Sequence, residues 1–344
     1  MPVAPRAWLA GTVLLTLGAL VGAILMAPPA SAPPGLGLTW LLFIGSSAHV
    51  AATGWLYTLP DVRAYARERP ARFVYAPVGL VAATGGVAAL VPSPSFAWLL
   101  LPYFAWQLVH FQKQNLGMAA LATSSRGIAG LRSVERRALT VAGLAGAGAL
   151  VARPGVLQLN IDPGLELIRP LALVLFCGAV AAGGWLVARR SHDDRPVGFC
   201  VVYATSLCFA LPVFVFDSPY AAVGGMTIAH GLQYLLLVGM VAAGGSQGKR
   251  RLVRLAAFCN VALVGGALLN AASHLHTGGA AARLVFGASL GLAMAHFVID
   301  AGIWRLRDPV PRRLVSTYLP HLLPPTSAAI AVGVSARDRS ASDI

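Results

Sequence analysis

The stretch "AHFVIDAGIWRLRDP" at residues 295–309 places His296 and Asp300 four residues apart near the end of a long apolar run. On a helix that spacing stacks the two side chains on one face. An imidazole and a carboxylate so placed suit metal ligation, with the carboxylate as a second ligand or as the acceptor that orients a ligating ring. Three other apolar stretches each carry a single histidine. "WQLVHFQKQNLG" sets Gln107, His110 and Gln114 in one stripe, "GGMTIAHGLQYLLL" holds His230 and Gln233, and "GSSAHVAATGWLY" surrounds His49 with small residues. The expected metal ligands are therefore His49, His110, His230 and His296. Asp300, Gln114 and Gln233 are the expected catalytic side chains, the amides orienting ligands or substrate. Trp55, Tyr103, Trp106, Phe111, Tyr234 and Phe297 would shape an apolar pocket around them. A plainer reading of the same residues is interhelical hydrogen bonding, with Asp300 paired to Arg305 or Arg307.

These residues must be positioned by membrane helices. The chain is 57% hydrophobic and 11% charged over 344 residues, and its apolar runs repeatedly reach the length of a bilayer span. An all-α, polytopic membrane bundle follows, with spans expected near 7–27, 36–58, 73–91, 95–121, 137–152, 167–188, 197–216, 219–244, 252–275 and 279–304. Residues 1–313 form one domain of about ten helices, and residues 314–344 form a polar, largely disordered cytoplasmic tail. Arg6 and the "ASA" at 30–32 also fit a cleavable leader, but the first apolar run is longer than a usual signal core and reads as a helix. Basic residues cluster in alternate loops, which places both termini in the cytoplasm. The net charge of +14 is thus explained by topology and implies no nucleic-acid partner. Cys177, Cys200, Cys208 and Cys259 lie in apolar segments without metal-ligand or disulfide spacing.

Counted from the outer end of each span at about 1.5 Å per residue, the four histidines share a layer about 15 to 22 Å deep. Asn260 falls near the same level. His274 and His276, spaced i and i+2, do not share a helical face and read as an outer-interface pair, while His192 and His321 read as solvated. Ionisable groups within a span cost at least ~2.5 kcal/mol on insertion scales, so they normally face the bundle interior.

Imidazoles with at most one carboxylate suit iron, zinc or copper, and with open positions they suit non-haem iron and O₂. Zincin and Walker motifs are absent, as are the H-x-x-x-H and H-x-x-H-H boxes of membrane desaturases. The set "HFQKQNLG", "HGLQYLLL" and "HFVIDAGIWRLR" resembles a pattern in a group of little-characterised bacterial polytopic proteins. More distantly, isolated histidines spread over a helical membrane bundle resemble the Brp/Blh-type carotenoid-cleaving dioxygenases, which implies iron held by histidines alone. The expected activity is a membrane-embedded oxidase or oxygenase in a bacterial inner membrane. One or two non-haem iron ions would serve as cofactor and a lipophilic small molecule and O₂ as substrates, with an electron donor for some oxidations. Zinc, copper and haem b are the other cofactors the residues admit. A transporter using the His/Asp/Gln cluster and a haem b electron-transfer protein are the alternative functions.

Overall fold

The computed structural model describes residues 5–29, 32–244 and 247–323, and among these there is no strand. The chain runs through α1 (Pro5–Met26), α2 (Leu36–Leu42), α3 (His49–Leu56), α4 (Pro60–Glu68), α5 (Ala76–Leu90), α6 (Ser93–Arg126) and α7 (Ser133–Val151). It continues through α8 (Ile168–Ala188), α9 (Val197–Leu207), α10 (Leu211–Val215), α11 (Gly225–Ala243), α12 (Gly248–Ser273), α13 (Ala280–Ile303) and α14 (Pro309–Tyr318). π-helical turns at Phe43–Ala48, Ala71–Tyr75 and Tyr220–Gly224 lead directly into α3, α5 and α11.

Seven helical stretches are long and apolar enough to cross a membrane: Ala7–Met26, Leu36–Leu56, Ala71–Leu90, Ile168–Ala188, Tyr220–Ala243, Gly248–Thr277 and Ala280–Ile303. The other three expected spans are helical but depart from that pattern for local reasons. Span 95–121 lies within α6, whose middle is interrupted by Gln107, His110, Gln112, Lys113, Gln114 and Asn115. Span 137–152 lies in α7, which opens on the charged run Glu135, Arg136, Arg137. Span 197–216 breaks between α9 and α10, where Pro212 removes a backbone donor.

Large apolar side chains such as Leu14, Leu25, Leu90, Leu171, Val174, Val253 and Leu268 face outward, as a surface solvated by acyl chains requires. Burial is instead concentrated on α11, which packs against α1, α3, α6, α12 and the Phe43–Ala48 turn. Lipid removes the hydrophobic drive between helices, so close backbone approach through small residues must supply the packing. A Cβ added to Gly231 of α11 would overlap the Gly45 backbone, and one added to Gly45 would overlap Ile228. These two glycines bring the turn that precedes His49 against the helix that carries His230. On the other side Gly287 and Gly291 of α13 seat on the backbone of α5 around Thr84 and Val81 in the same way.

Two amphipathic helices lie outside this set. α4 buries Val62, Tyr65 and Ala66, α14 buries Leu314 and Val315, and the two meet the end of α13 at Ile303. Asp308 joins them, accepting from Arg69 at 3.3 Å. Residues 314–323, expected in the tail, therefore complete α14 and pack Leu319, Leu322 and Leu323 into the core. The rest of that expected tail, 324–344, lies outside the described residues.

Candidate metal centre

Four helical segments deliver one histidine each to a common interior point. His49 starts α3 immediately after a π turn, where the extra residue in the helical repeat rotates the following face. His110 sits in α6 two turns beyond Pro102, His230 in α11 and His296 in α13. The rings form a four-membered circuit with centroid separations of 5.0 Å (His49 to His230), 4.8 Å (His230 to His110), 5.1 Å (His110 to His296) and 4.9 Å (His296 to His49). All four residues are buried.

The hydrogen bonding of this circuit is unusual. Both ring nitrogens of His49 and of His230, Nε2 of His110 and Nε2 of His296 have no hydrogen-bond partner. Buried polar atoms are nearly always satisfied, and each orphan costs about 1–3 kcal/mol. These nitrogens belong to four rings, each able to offer one donor to a cation, and donors left without a protein partner are what a metal ligand set looks like before the cation is counted. The ligand atoms of His49, His230 and His296 lie within 4.8 Å of one another, as do those of His110, His296 and Asp300. Soft-to-borderline imidazole donors with one carboxylate fit a transition metal such as iron, zinc or copper.

One turn along each helix lies a second polar layer. Thr53, Gln114, Tyr234 and Asp300 follow His49, His110, His230 and His296 by four residues each. Asp300 places Oδ2 3.5 Å from His296 Nε2 and accepts a hydrogen bond on Oδ1 from the Tyr234 hydroxyl at 3.1 Å. Tyr234 lies 2.8 Å from the Thr53 hydroxyl, which in turn lies 2.6 Å from His296 Nδ1. With Asp300 ionised the directions follow: Tyr234 donates to the carboxylate, Thr53 donates to Tyr234, and His296 Nδ1–H donates to Thr53. In that protonation state the chain would hold the tautomer that leaves the Nε2 lone pair of His296 free to bind a metal. The two triads share His296. Phe111 stacks on His230 at 4.3 Å and Phe297 on His110 at 4.4 Å, fixing both ring planes.

Beside this centre is a cavity of about 680 Å³, lined among others by His110, Gln114, Tyr234, Asp300, Trp106 and Phe297. That size accommodates a small organic molecule. Comparison with known protein families, curated proteins and solved structures finds no match to this chain. The arrangement is therefore read from its own chemistry.

The remaining sequence expectations sort by position. Gln114 lines the cavity, but its amide nitrogen donates to the His230 carbonyl at 3.0 Å and to Gln233 Oε1 at 2.9 Å. Gln233 in turn donates to Thr16 of α1 at 2.7 Å, so its carboxamide cross-links helices rather than meeting an imidazole. Asp300 is not paired with Arg305, which instead lies 3.6 Å from Asp308. Asn260 is exposed and bonds its own helix at Ala256. His274 and His276 are exposed and bond the backbone at Asn270 and Ser273, and neither joins a metal-binding group among the described residues. His192 is fully solvated, whereas His321 is partly buried. Trp55 packs on Phe258 away from the cavity. Sequence reasoning missed Thr53 altogether and gave Tyr234 only a packing role. The signal was available: each of the four histidines has a hydrogen-bonding residue at i+4.

Proposed function

We propose that this protein is a membrane-embedded oxygenase in which His49, His110, His230 and His296 hold a non-haem iron ion and a hydrophobic molecule is oxidised by O₂. The observation that carries the reading is the convergence of four buried imidazoles from four helices, each with an unpartnered ring nitrogen, beside a cavity with apolar walls. Iron so held supplies an open, redox-active position for O₂. The chain supplies the rest. Phe111 and Phe297 keep His230 and His110 in place, the Thr53, Tyr234 and Asp300 chain holds His296 with Nε2 unprotonated, and burial excludes water from the reacting region. Trp106 and Phe297 form an apolar wall against which a lipophilic substrate rests.

Dioxygenation balances with O₂ alone, both oxygen atoms entering product. Insertion of a single oxygen atom, with the second leaving as water, needs two further electrons and so a donor protein or quinol. The first course is favoured by the resemblance to carotenoid-cleaving dioxygenases and needs no additional partner. In this reading α6, about 50 Å long at 1.5 Å per residue, α7 and the α9–α10 pair complete ten crossings, both termini are cytoplasmic, and the protein resides in a bacterial inner membrane.

Elemental analysis of the detergent-purified protein, with an optical spectrum of the same sample, tests the reading. Near-stoichiometric iron without a Soret band, and its loss in His230→Ala, is the expected result. Absence of bound metal after anaerobic ferrous reconstitution overturns it and points to a carrier that uses Asp300 as its ion site.

A further inference from the structure

The cavity is not uniformly apolar. Besides the site residues it is lined by Arg72, Lys113, Arg305 and Arg307, which come from three separate parts of the chain: the Ala71–Tyr75 turn, α6, and the segment after α13. Asp300 is the one acid among the lining residues, and it is engaged by Tyr234 beside His296. Arg305 is offset by Asp308. Arg72, Lys113 and Arg307 form no ion pair among the described residues. The stem of Arg72 passes the end of α13 at Gly302, where an added Cβ would collide with it.

Basic residues at membrane interfaces commonly set topology, and arginines beyond a helix C-terminus complement its dipole. Neither effect requires cations from three elements to line one cavity whose other lining residues include Leu116, Leu121, Leu237 and Phe297. Beyond the end of α13, Arg305 and Arg307 follow His296 by nine and eleven residues, the helix itself accounting for about 10 Å from His296 to Ile303. The cavity thus joins a cationic rim to the histidine circuit across an apolar wall. A wholly neutral hydrocarbon would leave that rim unpaired, whereas a molecule with an anionic head and an apolar body satisfies both parts.

We infer that the ligand of this cavity is a single-chain amphiphile with an anionic head, such as a long-chain carboxylate, held at the head by Lys113, Arg72 and Arg307 with its chain directed at the histidines. As a statement about substrate, this rests on the oxygenase reading above. The volume of about 680 Å³ lies in the range of sites for one small ligand.

The test is displacement of tritiated oleate from the detergent-solubilised full chain, with iron content measured on the same preparation. Oleate should displace the label at a concentration at least tenfold lower than methyl oleate, and acetate and inorganic phosphate should not displace it. The double variant Lys113→Gln, Arg307→Gln should raise the half-displacement value for oleate at least tenfold while leaving methyl oleate and iron content unchanged. Arg307→Gln alone, at the exposed end of the rim, serves if the double variant does not fold. Equal displacement by oleate and methyl oleate, or an unchanged oleate value in the variant, overturns the proposal. Displacement by inorganic phosphate as strong as by oleate also overturns it, making the rim a free-anion site. Oleate selectivity in a protein that binds no iron overturns the oxygenase reading, and with it the role of the amphiphile as substrate. Bound iron without oleate selectivity overturns the rim alone.

Discussion

Two groups of buried polar side chains occupy opposite regimes in this bundle. At the start of α7, Glu135 is fully buried and accepts from Arg190 on both oxygens, at 2.8 and 2.6 Å, and from Arg132 side chain and backbone at 2.7 to 2.9 Å. Arg190 spends its remaining donors on the carbonyls of Ala129, Gly130 and Asp194, and Tyr203 caps the Glu135 carbonyl at 3.1 Å. In the histidine circuit, by contrast, six ring nitrogens are unpartnered. A saturated cluster closes a loop onto helices and has no capacity left for a ligand, while an unsaturated one of the same burial is poised to take one. The difference between a structural and a ligand-ready polar cluster is thus readable as unused hydrogen-bonding capacity.

The largest effect should come from removing a ring of the circuit. His49, His110, His230 and His296, changed singly to Ala, are each expected to reduce bound iron from near one per chain to background. Stoichiometric iron in any of the four would remove that histidine from the ligand set. Glu135→Ala should do the reverse. Leaving Arg190 buried and unpaired costs about 3–5 kcal/mol, seen as a large fall in unfolding temperature, with iron per folded chain unchanged.

The same cluster should respond to acid. Burial alone would raise the Glu135 carboxyl, but hydrogen bonds from Arg190 and Arg132 bring it below the usual carboxylate range. A depressed native pKa contributes stability that is fully present above the ordinary carboxylate range and is lost as pH falls through the lowered value. Unfolding temperature measured between neutral and strongly acidic pH should drop along that limb, and Glu135→Gln should flatten it. An unaltered limb in the variant would transfer the acid sensitivity to another group.

Thr53→Val tests the link between the two polar layers at smaller scale. Loss of the acceptor at His296 Nδ1 should weaken iron binding about 10- to 100-fold, measured by competition with a ferrous chelator. An unchanged affinity would mean that the hydroxyl chain does not set the tautomer. Smallest is Gln233→Leu, which removes a cross-link between α11 and α1 and should cost about 1 kcal/mol of stability with iron retained. Loss of iron in that variant would return Gln233 to the site.

Much of this was legible in order along the chain. Apolar run lengths specify a multi-span helical protein, and the rarity of ionisable groups within those runs singles out His49, His110, His230, His296 and Asp300 as interior residues. Span counting was least secure at α6 and α9–α10, because their polar residues and prolines lower apolarity without preventing helix formation. The i+4 residues Thr53 and Tyr234 were legible in spacing alone but not in role, since a hydroxyl can satisfy itself on its own helix or across to another.

The sequence by itself determines which side chains must avoid lipid, because the cost of placing a polar group in hydrocarbon is local and does not depend on neighbours. Only the tertiary structure decides what those side chains meet. Gln233 is drawn to Thr16, 217 residues distant, His296 to Thr53, 243 residues distant, and Arg305 to Asp308 in place of Asp300. Helix faces are set by periodicity, but which faces oppose one another depends on where the backbones approach, as at Gly45 and Gly231. That approach brings four isolated histidines into one circuit.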